Sequence, residues 1–327
     1  MGTRFQSGRL LKCFLCLWLA ALALTTSCDQ AQEPIAVDFT KTIAATKPQS
    51  HSDRRVEQNL RVAVGAMISP RKTFVYYQEL LAYLQDRLGR RVELVQKKTY
   101  AETNLLLAKG EIDMAFICSG PYATQGRNMG LKLLAAPKIA GATTYRSYLI
   151  VHKDSSYKSL ADLAGSTFAF TDPDSNTGWL VPRFWLLQAG QTPRRFFGKF
   201  LFTHGHDNSI LAVAKKLVDG AAVDSLIWDY HQIIYPSLTA KTRIIRKSQP
   251  FGIPPVVGSP NLSAGSGRAI QEQLFNMHLN DRGRKILTEL RIDRFVPAQD
   301  DWYQNIRQMH AALVDDGEGL QHGSAKP

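Results

Sequence analysis

The sequence predicts an α/β protein with two lobes, which two chain crossings join at a hinge and which enclose a ligand cleft. Two observations lead to this fold class. Strands and helices alternate in two successive sets along the chain, and this alternation favours right-handed crossovers and mostly parallel sheets. The chain also has 327 residues, 44% of them hydrophobic, which suits two domains or one large α/β unit with a buried core.

The first lobe is predicted to consist of residues 59–150 and 250–313. Alternating, Val-rich residues predict a buried strand over 60–66. Apolar residues at spacings of three and four predict a helix over 74–88, which Gly89 ends. The same reasoning predicts further strands over 92–95, 112–117, 131–136 and 147–153, and helices over 99–109, 268–279, 281–289 and 299–313.

The second lobe is predicted to be the inserted stretch 151–249. Its predicted elements are a short helix over 159–165, a strand over 167–170, a helix over 178–189, a strand over 200–204, a helix over 209–217 and a strand over 221–226. The strands near 147–153 and 242–257 are then expected to be the two crossings between lobes. Two crossings form a hinge, and the cleft between hinged lobes is a common ligand site.

Composition and charge exclude several classes of protein. The apolar fraction excludes general disorder, and four cysteines in so long a chain exclude a scaffold built on disulfides. The net charge of +12, from 40 Lys and Arg against 28 Asp and Glu, invites a nucleic-acid partner. The basic residues are spread along the chain without a basic block, however, so no nucleic-acid partner is expected.

Residues 1–27 are predicted to be a lipoprotein-type signal peptide. A basic start leads into the apolar run 13–24, which is too short for a stable membrane span but suits a signal-peptide core. Small residues then lead to Cys28, as in bacterial lipoproteins, although Thr25 stands where Leu is usual. Asp29 resembles the signal that keeps such lipoproteins on the inner membrane. The alternative is an ordinary signal peptide that is cut nearby.

The segments that flank the two lobes are predicted to be unstructured. Residues 28–58 are polar and lack periodicity, so they are expected to form a flexible tether between the membrane and the lobes. Residues 314–327 are expected to form a disordered tail. The protein is therefore predicted to be periplasmic and tethered to the inner membrane through a lipid on Cys28.

An anion site is predicted in the segment 171–180, which follows one predicted strand and precedes a predicted helix. Ser175, Asn176 and Thr177 are residue types that cap helix N-termini. The free N–H groups of such a terminus attract anions, and the hydroxyl groups of Ser175 and Thr177 can assist them. Gly178 permits a close approach of the backbone. A plain helix cap without a ligand explains the same residues equally well.

Two further polar residues follow predicted strands. His206 stands between a strand and a helix, where its imidazole can donate to an oxyanion. Asp224 ends another strand, where it can accept from a ligand amine or a protonated oxyanion, or can act as a structural cap. A metal held by His204 and His206 lacks an evident third ligand, so no metal and no other cofactor is predicted.

Cys118, Ser119 and Tyr122 follow the third predicted strand, at the edge where ligands of open α/β sheets bind. A lone cysteine in this position is otherwise a small buried hydrophobic residue. Ser175, His206 and Asp224 together imitate a hydrolase triad. The sequence lacks a Gly-x-Ser-x-Gly elbow, so an enzyme is not expected.

Four motifs, in chain order, resemble the phosphate, phosphite and phosphonate substrate-binding proteins of ABC transporters. They are IDMAFICSGPY, FTDPDSNTGWLVP, FTHGHDNSI and VDGAAVDSL, and the similarity covers about residues 59–310. The resemblance implies a hinged periplasmic binding protein of the type 2 fold and a permease partner. It also implies that a tetrahedral oxyanion binds at Ser175, Asn176, Thr177, His206 and Asp224, with aromatic side chains from Tyr77 (or Tyr76) and Tyr122.

The expected function is therefore an extracytoplasmic solute-binding protein that delivers a small oxyanion, such as phosphonate, phosphite or phosphate, to an ABC transporter. Cys118 leaves a second function open. A branch of similar proteins senses arsenic oxyanions for histidine kinases, with a cysteine near the site, and a thiolate suits trivalent arsenic. In that case the partner is the ectodomain of a sensor kinase.

Overall fold

The computed structural model describes residues 59–65, 67 and 70–315. The predicted signal peptide, Cys28, the tether and residues 316–327 lie outside the described residues. Within these ranges, no helix combines the length and the apolar character that a membrane crossing requires.

The strands, in chain order, are β1 (Leu60–Val64), β2 (Val92–Val95), β3 (Met114–Phe116), β4 (Lys132–Lys138), β5 (Thr144–Tyr145), β6 (Ser147–His152), β7 (Thr167–Phe170), β8 (Lys199–Phe202), β9 (Gly220–Asp224), β10 (Thr242–Lys247), β11 (Phe251–Gly252), β12 (Val256–Gly258) and β13 (Arg294–Val296). The α-helices are α1 (Pro70–Leu88), α2 (Tyr100–Ala108), α3 (Ser119–Gln125), α4 (Val181–Leu187), α5 (Pro193–Phe196), α6 (His206–Ala214), α7 (Ser225–Ile234), α8 (Pro236–Thr239), α9 (Ala264–Asn276), α10 (Asp281–Glu289) and α11 (Gln304–Asp315). Single 3₁₀ turns occur at Ala161–Leu163, Met277–Leu279 and Asp300–Tyr303, and a π turn occurs at Asn176–Leu180.

Eleven of the thirteen described strands form two mixed sheets, each the centre of one lobe. The six-stranded sheet has the order β13-β4-β12-β3-β1-β2, and the five-stranded sheet has the order β10-β6-β9-β7-β8. Parallel pairs join β1 to β2 and β3, and β7 to β8 and β9, whereas β12 is antiparallel to both β3 and β4. The prediction of mostly parallel sheets was therefore wrong. After β4 the chain crosses to the other lobe, and it returns to the six-stranded sheet at β12. The returning strand therefore runs opposite to β3 and β4.

The two crossings between lobes are the short antiparallel strands β5 and β11, in which Tyr145 pairs with Phe251 and Thr144 with Gly252. The sequence placed the crossings near 147–153 and 242–257. In the structure, β6 and β10 pair with each other inside the five-stranded sheet, so residues 147–150 do not belong to the first sheet. The periodicity of local residues can identify a buried strand. It does not determine which strand pairs with it, because that depends on residues far away in the sequence.

Helices cover each sheet through apolar faces that match the sequence spacing. Leu80 and Leu84 of α1 are four residues apart, fully buried and therefore on one face, where they pack with Leu274 of α9 over the six-stranded sheet. Ile210 and Val213 of α6 pack in the same way on the five-stranded sheet. Complete burial of such a side chain contributes about 1.5–3 kcal/mol.

Helix α11 contacts both lobes. Ile306 and Met309 share an apolar cluster with Tyr122 of α3, in the first lobe, and with Val181 of α4, in the second. The helix runs to Asp315, so it includes the first two residues of the stretch that was predicted to be a disordered tail.

Several helices near the candidate site begin earlier than the sequence suggests. The helix predicted over 209–217 starts at His206, and the helix predicted over 178–189 starts with the π turn from Asn176. Helix α7 follows β9 directly and was not predicted at all. Asp224 is its N-cap, and the Asp224 side chain accepts from the Leu226 N–H at 2.7 Å.

Candidate functional site

The predicted anion segment forms a tight turn between β7 and α4. The Ser175 hydroxyl accepts from the Gly178 N–H at 3.0 Å, and the Leu180 N–H donates to the Ser175 carbonyl at 3.0 Å, which closes the π turn. A Cβ atom on Gly178 would lie 2.5 Å from the Thr171 side chain, so only glycine fits there. The Ser147 hydroxyl donates to the Thr177 carbonyl at 2.7 Å and fixes the turn on β6.

Asn176 and Thr177 are fully buried in this turn. The Asn176 amide donates to the Tyr145 hydroxyl at 3.0 Å. Within the described part of the chain, the Asn176 amide oxygen and the Thr177 hydroxyl have no hydrogen-bond partner. Buried polar atoms are nearly always paired, because an unpaired one costs about 1–3 kcal/mol. These two atoms are therefore free for a group from outside the protein.

His206 presents one ring nitrogen to the fold and leaves the other unpaired. Its Nδ1 lies 3.0 Å from the Thr171 hydroxyl and accepts from the Asp224 N–H at 3.1 Å, which places the imidazole proton on Nε2. Burial lowers the pKa of His206 to about 3, so the ring is neutral at physiological pH. Its Nε2–H has no partner among the described residues and is a fixed donor for an acceptor oxygen.

Asp224 is 1% exposed. Burial raises the pKa of Asp224 to about 7, against the effect of the backbone N–H groups of Leu226 and Ile227. Its carboxyl group is therefore near its midpoint at neutral pH. In the protonated form it is a hydrogen-bond donor, and in the ionised form it repels an anion.

Two tyrosines that the sequence did not single out join this cluster. Tyr100, the first residue of α2, is 2% exposed, and its hydroxyl has no partner within the described ranges. Burial raises the pKa of Tyr100 well above its usual value, and Cys118 and Asp224 raise it further. Tyr145 lies on the hinge strand β5. No sequence motif marks either residue. Tyr100 begins an ordinary capped helix, and Tyr145 belongs to a two-residue strand.

The unpaired atoms belong to residues that lie close together. The Asn176 amide donates to the Tyr145 hydroxyl, the Asp224 backbone N–H donates to the His206 ring, and Asp224 acts electrostatically on both Tyr100 and Tyr145. The group therefore offers the hydroxyls of Tyr100 and Thr177 and the Nε2–H of His206 as three unpaired donors. Buried neutral donors without partners are the chemistry that holds a desolvated oxyanion.

Cys118 lies beside this group as a neutral thiol. It is 3% exposed and packs against Tyr100 and the half-buried Met67. Burial raises the pKa of Cys118 to about 12, although the N–H groups of Asn176 and Gly120 oppose the rise.

The remaining predicted residues make contacts within the fold. The Ser119 hydroxyl donates to the Gly252 carbonyl at 2.7 Å and also bonds to the Tyr145 side chain, so it borders the cluster. The Tyr122 hydroxyl donates to Asp300 at 3.0 Å. The Tyr122 ring also packs edge-on against Tyr303, at 4.7 Å between centroids. Tyr77 packs edge-on against Phe116 at 5.2 Å and lines a cavity that also borders Asp224. The side chain of Tyr76 lies outside the described residues. Ser119 therefore stays at the border of the candidate site, and the Tyr122 hydroxyl is directed to Asp300.

No metal is assigned to the site. In the ranges that the structure describes, no three His, Cys, Asp or Glu side chains come together as a metal would require. Ser175 and His206 share no hydrogen bond there, because the Ser175 hydroxyl caps the turn and the His206 Nδ1 faces Thr171 and Asp224.

The unpaired Tyr100 hydroxyl leads to a stability prediction. We expect Tyr100→Phe to raise the free energy of unfolding of the ligand-free protein by about 1 kcal/mol, because it removes a buried group without a partner. The control is Tyr303→Phe, since the Tyr303 hydroxyl is equally buried but donates to the Ile253 carbonyl at 2.9 Å. That variant should lose about 1 kcal/mol in urea unfolding. An equal loss in both variants would show that Tyr100 has a partner in the fold.

The family assignment comes from a sequence comparison. The family described as "ABC transporter, phosphonate, periplasmic substrate-binding protein" matches residues 62–303, which is most of the chain. The chain belongs to this family.

Among its curated relatives, the Phosphate-import protein PhnD of Mycolicibacterium smegmatis is 29% identical over 193 residues, or 55% of this chain and 60% of the relative. The Phosphonates-binding periplasmic protein of Escherichia coli is 30% identical over 185 residues, or 55% and 54%. The chain thus spans less than two thirds of the length of these relatives.

Solved structures of the family share the fold. The binding protein component of an ABC phosphonate transporter from Pseudomonas aeruginosa superposes with a TM-score of 0.75 at 24% identity, over 81% of this chain and 90% of its own. PhnD1 from Prochlorococcus marinus, solved in complex with methylphosphonate, gives a TM-score of 0.70 at 20% identity. The match covers 78% of this chain and 98% of PhnD1. The two-lobed periplasmic binding protein fold that the sequence predicted is thereby confirmed.

Proposed function

We propose that this protein is an extracytoplasmic solute-binding protein that binds a small tetrahedral oxyanion, such as phosphonate, phosphite or phosphate, and delivers it to an ABC transporter permease. The observation that carries the proposal is that Tyr100, Thr177 and His206 each hold a buried, unpaired donor in the same neighbourhood of the fold. Membership of the phosphonate-binding family and the names of the relatives, which are binding proteins and not enzymes, support it.

In the proposed site, each donor has a defined task. The Thr177 hydroxyl and the His206 Nε2–H donate to oxygens of the anion, and the Tyr100 hydroxyl adds a third donor from the other lobe. Asp224 in its protonated form donates to a further oxygen, and Asn176 accepts from a protonated oxygen of the ligand. Because the donors come from both lobes, the ligand joins the lobes when they close on it.

The family and the N-terminal sequence support the proposed location. The family is periplasmic, which supports an extracytoplasmic protein. We propose in addition that residues 1–27 are removed as a signal peptide and that a lipid on Cys28 tethers the protein to the inner membrane, with residues 28–58 as the tether. The proposed partners are the oxyanion and the permease, with no cofactor and no nucleic acid.

Calorimetry on the mature chain tests the proposal. Phosphate, phosphite, methylphosphonate and arsenite form the ligand series, and binding of at least one of the first three is expected. If none of the four binds, the proposal fails. Arsenite binding that depends on Cys118 would instead favour the kinase-sensor function. No observation favours that function now, since Cys118 is buried against Tyr100 and Met67 and is the lone cysteine among the described residues.

Replacement of Thr177 tests the site directly. We expect Thr177→Val to weaken binding of the best ligand by about 5- to 100-fold, because the variant keeps the shape of the side chain and loses one charge-assisted hydrogen bond. The control is Thr239→Val in the same lobe, where the Thr239 hydroxyl donates to the Pro236 carbonyl within the fold. The control should bind the ligand as the wild type does. Wild-type affinity in Thr177→Val would remove Thr177 from the site.

A further inference from the structure

Strand β8 lies at the edge of the five-stranded sheet, with β7 on one side and no described strand on the other. Lys199 of this strand is exposed, and Phe200 and Phe202 are half-buried. Helix α5, which precedes the strand, exposes Arg194 and Arg195. Proteins usually cover or pair an edge strand that carries apolar side chains. The outer side of β8 is therefore a surface on which a partner is expected.

The aromatic rings beside β8 form one layer around Phe170, which is fully buried. The ring centroids of Trp179, Phe200 and Phe202 lie 4.6, 5.4 and 6.0 Å from the Phe170 centroid. These three outer rings are only half-buried, so the layer reaches the surface of the molecule. We call the surface formed by Trp179 and residues 194–202 the edge face.

The charged side chains of the edge face are all basic. Arg194, Arg195 and Lys199 are exposed, and among the described residues none of the three forms an ion pair. Residues 175–206, which include the edge face, contain four basic residues and no Asp or Glu. Seven of these residues are aromatic, whereas only 9% of the whole chain is aromatic. The edge face is therefore distinguished by its lack of acidic residues and not by a dense basic run.

Two acidic residues that stand near β7 bond to the backbone instead. The Asp162 carboxylate accepts from the N–H groups of Lys158 and Ser159, at 2.7 and 3.0 Å. The Asp219 carboxylate accepts from the Thr167 N–H at 2.8 Å, at the start of β7. Neither carboxylate forms an ion pair with a basic side chain of the edge face. The edge face therefore presents a net positive charge to its surroundings.

We propose that the edge face rests against the anionic surface of a lipid bilayer. Each Arg or Lys near anionic headgroups raises the affinity about fivefold, and aromatic rings favour the boundary between membrane and water. The proposed lipid on Cys28 would hold the protein at such a surface. A second copy of the chain fits less well, because two edge faces would bring like charges together. The inference goes beyond the proposed function and holds whichever ligand the oxyanion site binds.

Co-sedimentation with lipid vesicles tests the inference, with residues 29–327 as the protein, because this chain carries no lipid of its own. Vesicles of equal parts phosphatidylglycerol and phosphatidylcholine are compared with vesicles of phosphatidylcholine alone. We expect the anionic vesicles to bind about tenfold more tightly or better, and we expect about 1 M salt to remove the difference. Equal binding to both kinds of vesicle, or binding to neither, would overturn the inference and leave the oxyanion function intact.

Two double variants form a matched pair for this measurement. Arg194→Gln with Arg195→Gln removes two charges from the edge face. Lys215→Gln with Lys216→Gln removes two exposed charges just after α6, which packs on the opposite face of the same sheet. We expect the first variant to bind anionic vesicles about 30-fold more weakly and the second to bind as the wild type does. Equal losses would mean that vesicle binding follows the net charge and not the edge face.

Two further measurements separate other causes. The affinity of the double arginine variant for methylphosphonate is expected to equal that of the wild type, since Arg194 and Arg195 lie outside the candidate site. A loss there would mean that the variant disturbs the fold, and the inference would lose its support from this variant. Binding to vesicles that contain the permease but not to lipid alone, lost in the same variant, would assign the edge face to an acidic protein surface and overturn the bilayer.

Discussion

Replacement of Gly120 by alanine is expected to weaken oxyanion binding by up to about 100-fold while both lobes stay folded. Gly120 lies on α3 in the six-stranded lobe. A Cβ atom there would stand 2.7 Å from the Asp174 carbonyl oxygen and 2.9 Å from the Asn176 nitrogen, which belong to the other lobe. These are backbone atoms of the proposed anion-binding turn, so they cannot rotate away. Overpacking of this kind costs about 1–3 kcal/mol, which corresponds to that loss of affinity.

The experiment compares this variant with Gly265→Ala, in which the added Cβ atom has no neighbour within 4 Å. Calorimetry with methylphosphonate measures affinity, and circular dichroism during heating shows that both variants are folded. The control is expected to bind as the wild type does. Wild-type affinity in Gly120→Ala would mean that the two lobes do not need their close approach at this point.

Replacement of Asp224 by asparagine is expected to change the pH dependence of binding. The pKa of Asp224 is about 7, so only about one tenth of the Asp224 side chains carry a proton at pH 8. The apparent affinity of the wild type for an anion is therefore about tenfold lower at pH 8 than when Asp224 is fully protonated. Asparagine keeps a donor and carries no charge. We therefore expect Asp224→Asn to bind about tenfold more tightly than the wild type at pH 8 and equally well at pH 5.5. The same ligand is used for both proteins at each pH, so titration of the ligand cancels.

Stability of the ligand-free protein provides a second readout. The raised pKa means that folded Asp224 holds its proton longer than the unfolded chain does, so its contribution to stability falls as the pH rises from about 4 to about 7. His206, whose pKa is lowered to about 3, has the opposite effect between about 3 and 6.5. The stability of Asp224→Asn relative to the wild type should therefore increase with pH. A pH-independent difference would mean that Asp224 is ionised throughout.

The parts of the candidate site that the sequence predicted are those that local chemistry specifies. Thr177 and Asn176 stand in a run of helix-capping residues after a strand, and His206 and Asp224 stand at the junction of a strand and a helix. Each feature is visible within a few residues of the chain. The structure adds that the Ser175 hydroxyl serves the turn itself and that His206 is neutral, with its proton on Nε2.

The parts that the sequence missed depend on contacts between distant segments. Tyr100 begins a helix in one lobe and Tyr145 lies on the hinge, and both reach the site only because the lobes meet there. Ser119 and Tyr122 were placed correctly after β3, but α3 directs their hydroxyls to Gly252 and Asp300. Neither the partner of a buried side chain nor the neighbour of a strand is specified by residues nearby in sequence.

The position of β12 has a consequence for the order in which the chain folds. Val256 pairs with Phe116 on one side and Ala135 on the other, so a late segment forms an inner strand of a sheet whose other strands mostly precede it. The five-stranded sheet needs only one continuous stretch of chain, from β6 to β10. It can therefore assemble first, while the six-stranded sheet waits for a closure of more than a hundred residues, which is slow. The lobe that folds from one continuous stretch is thus expected to be complete before the lobe whose sheet is closed by β12.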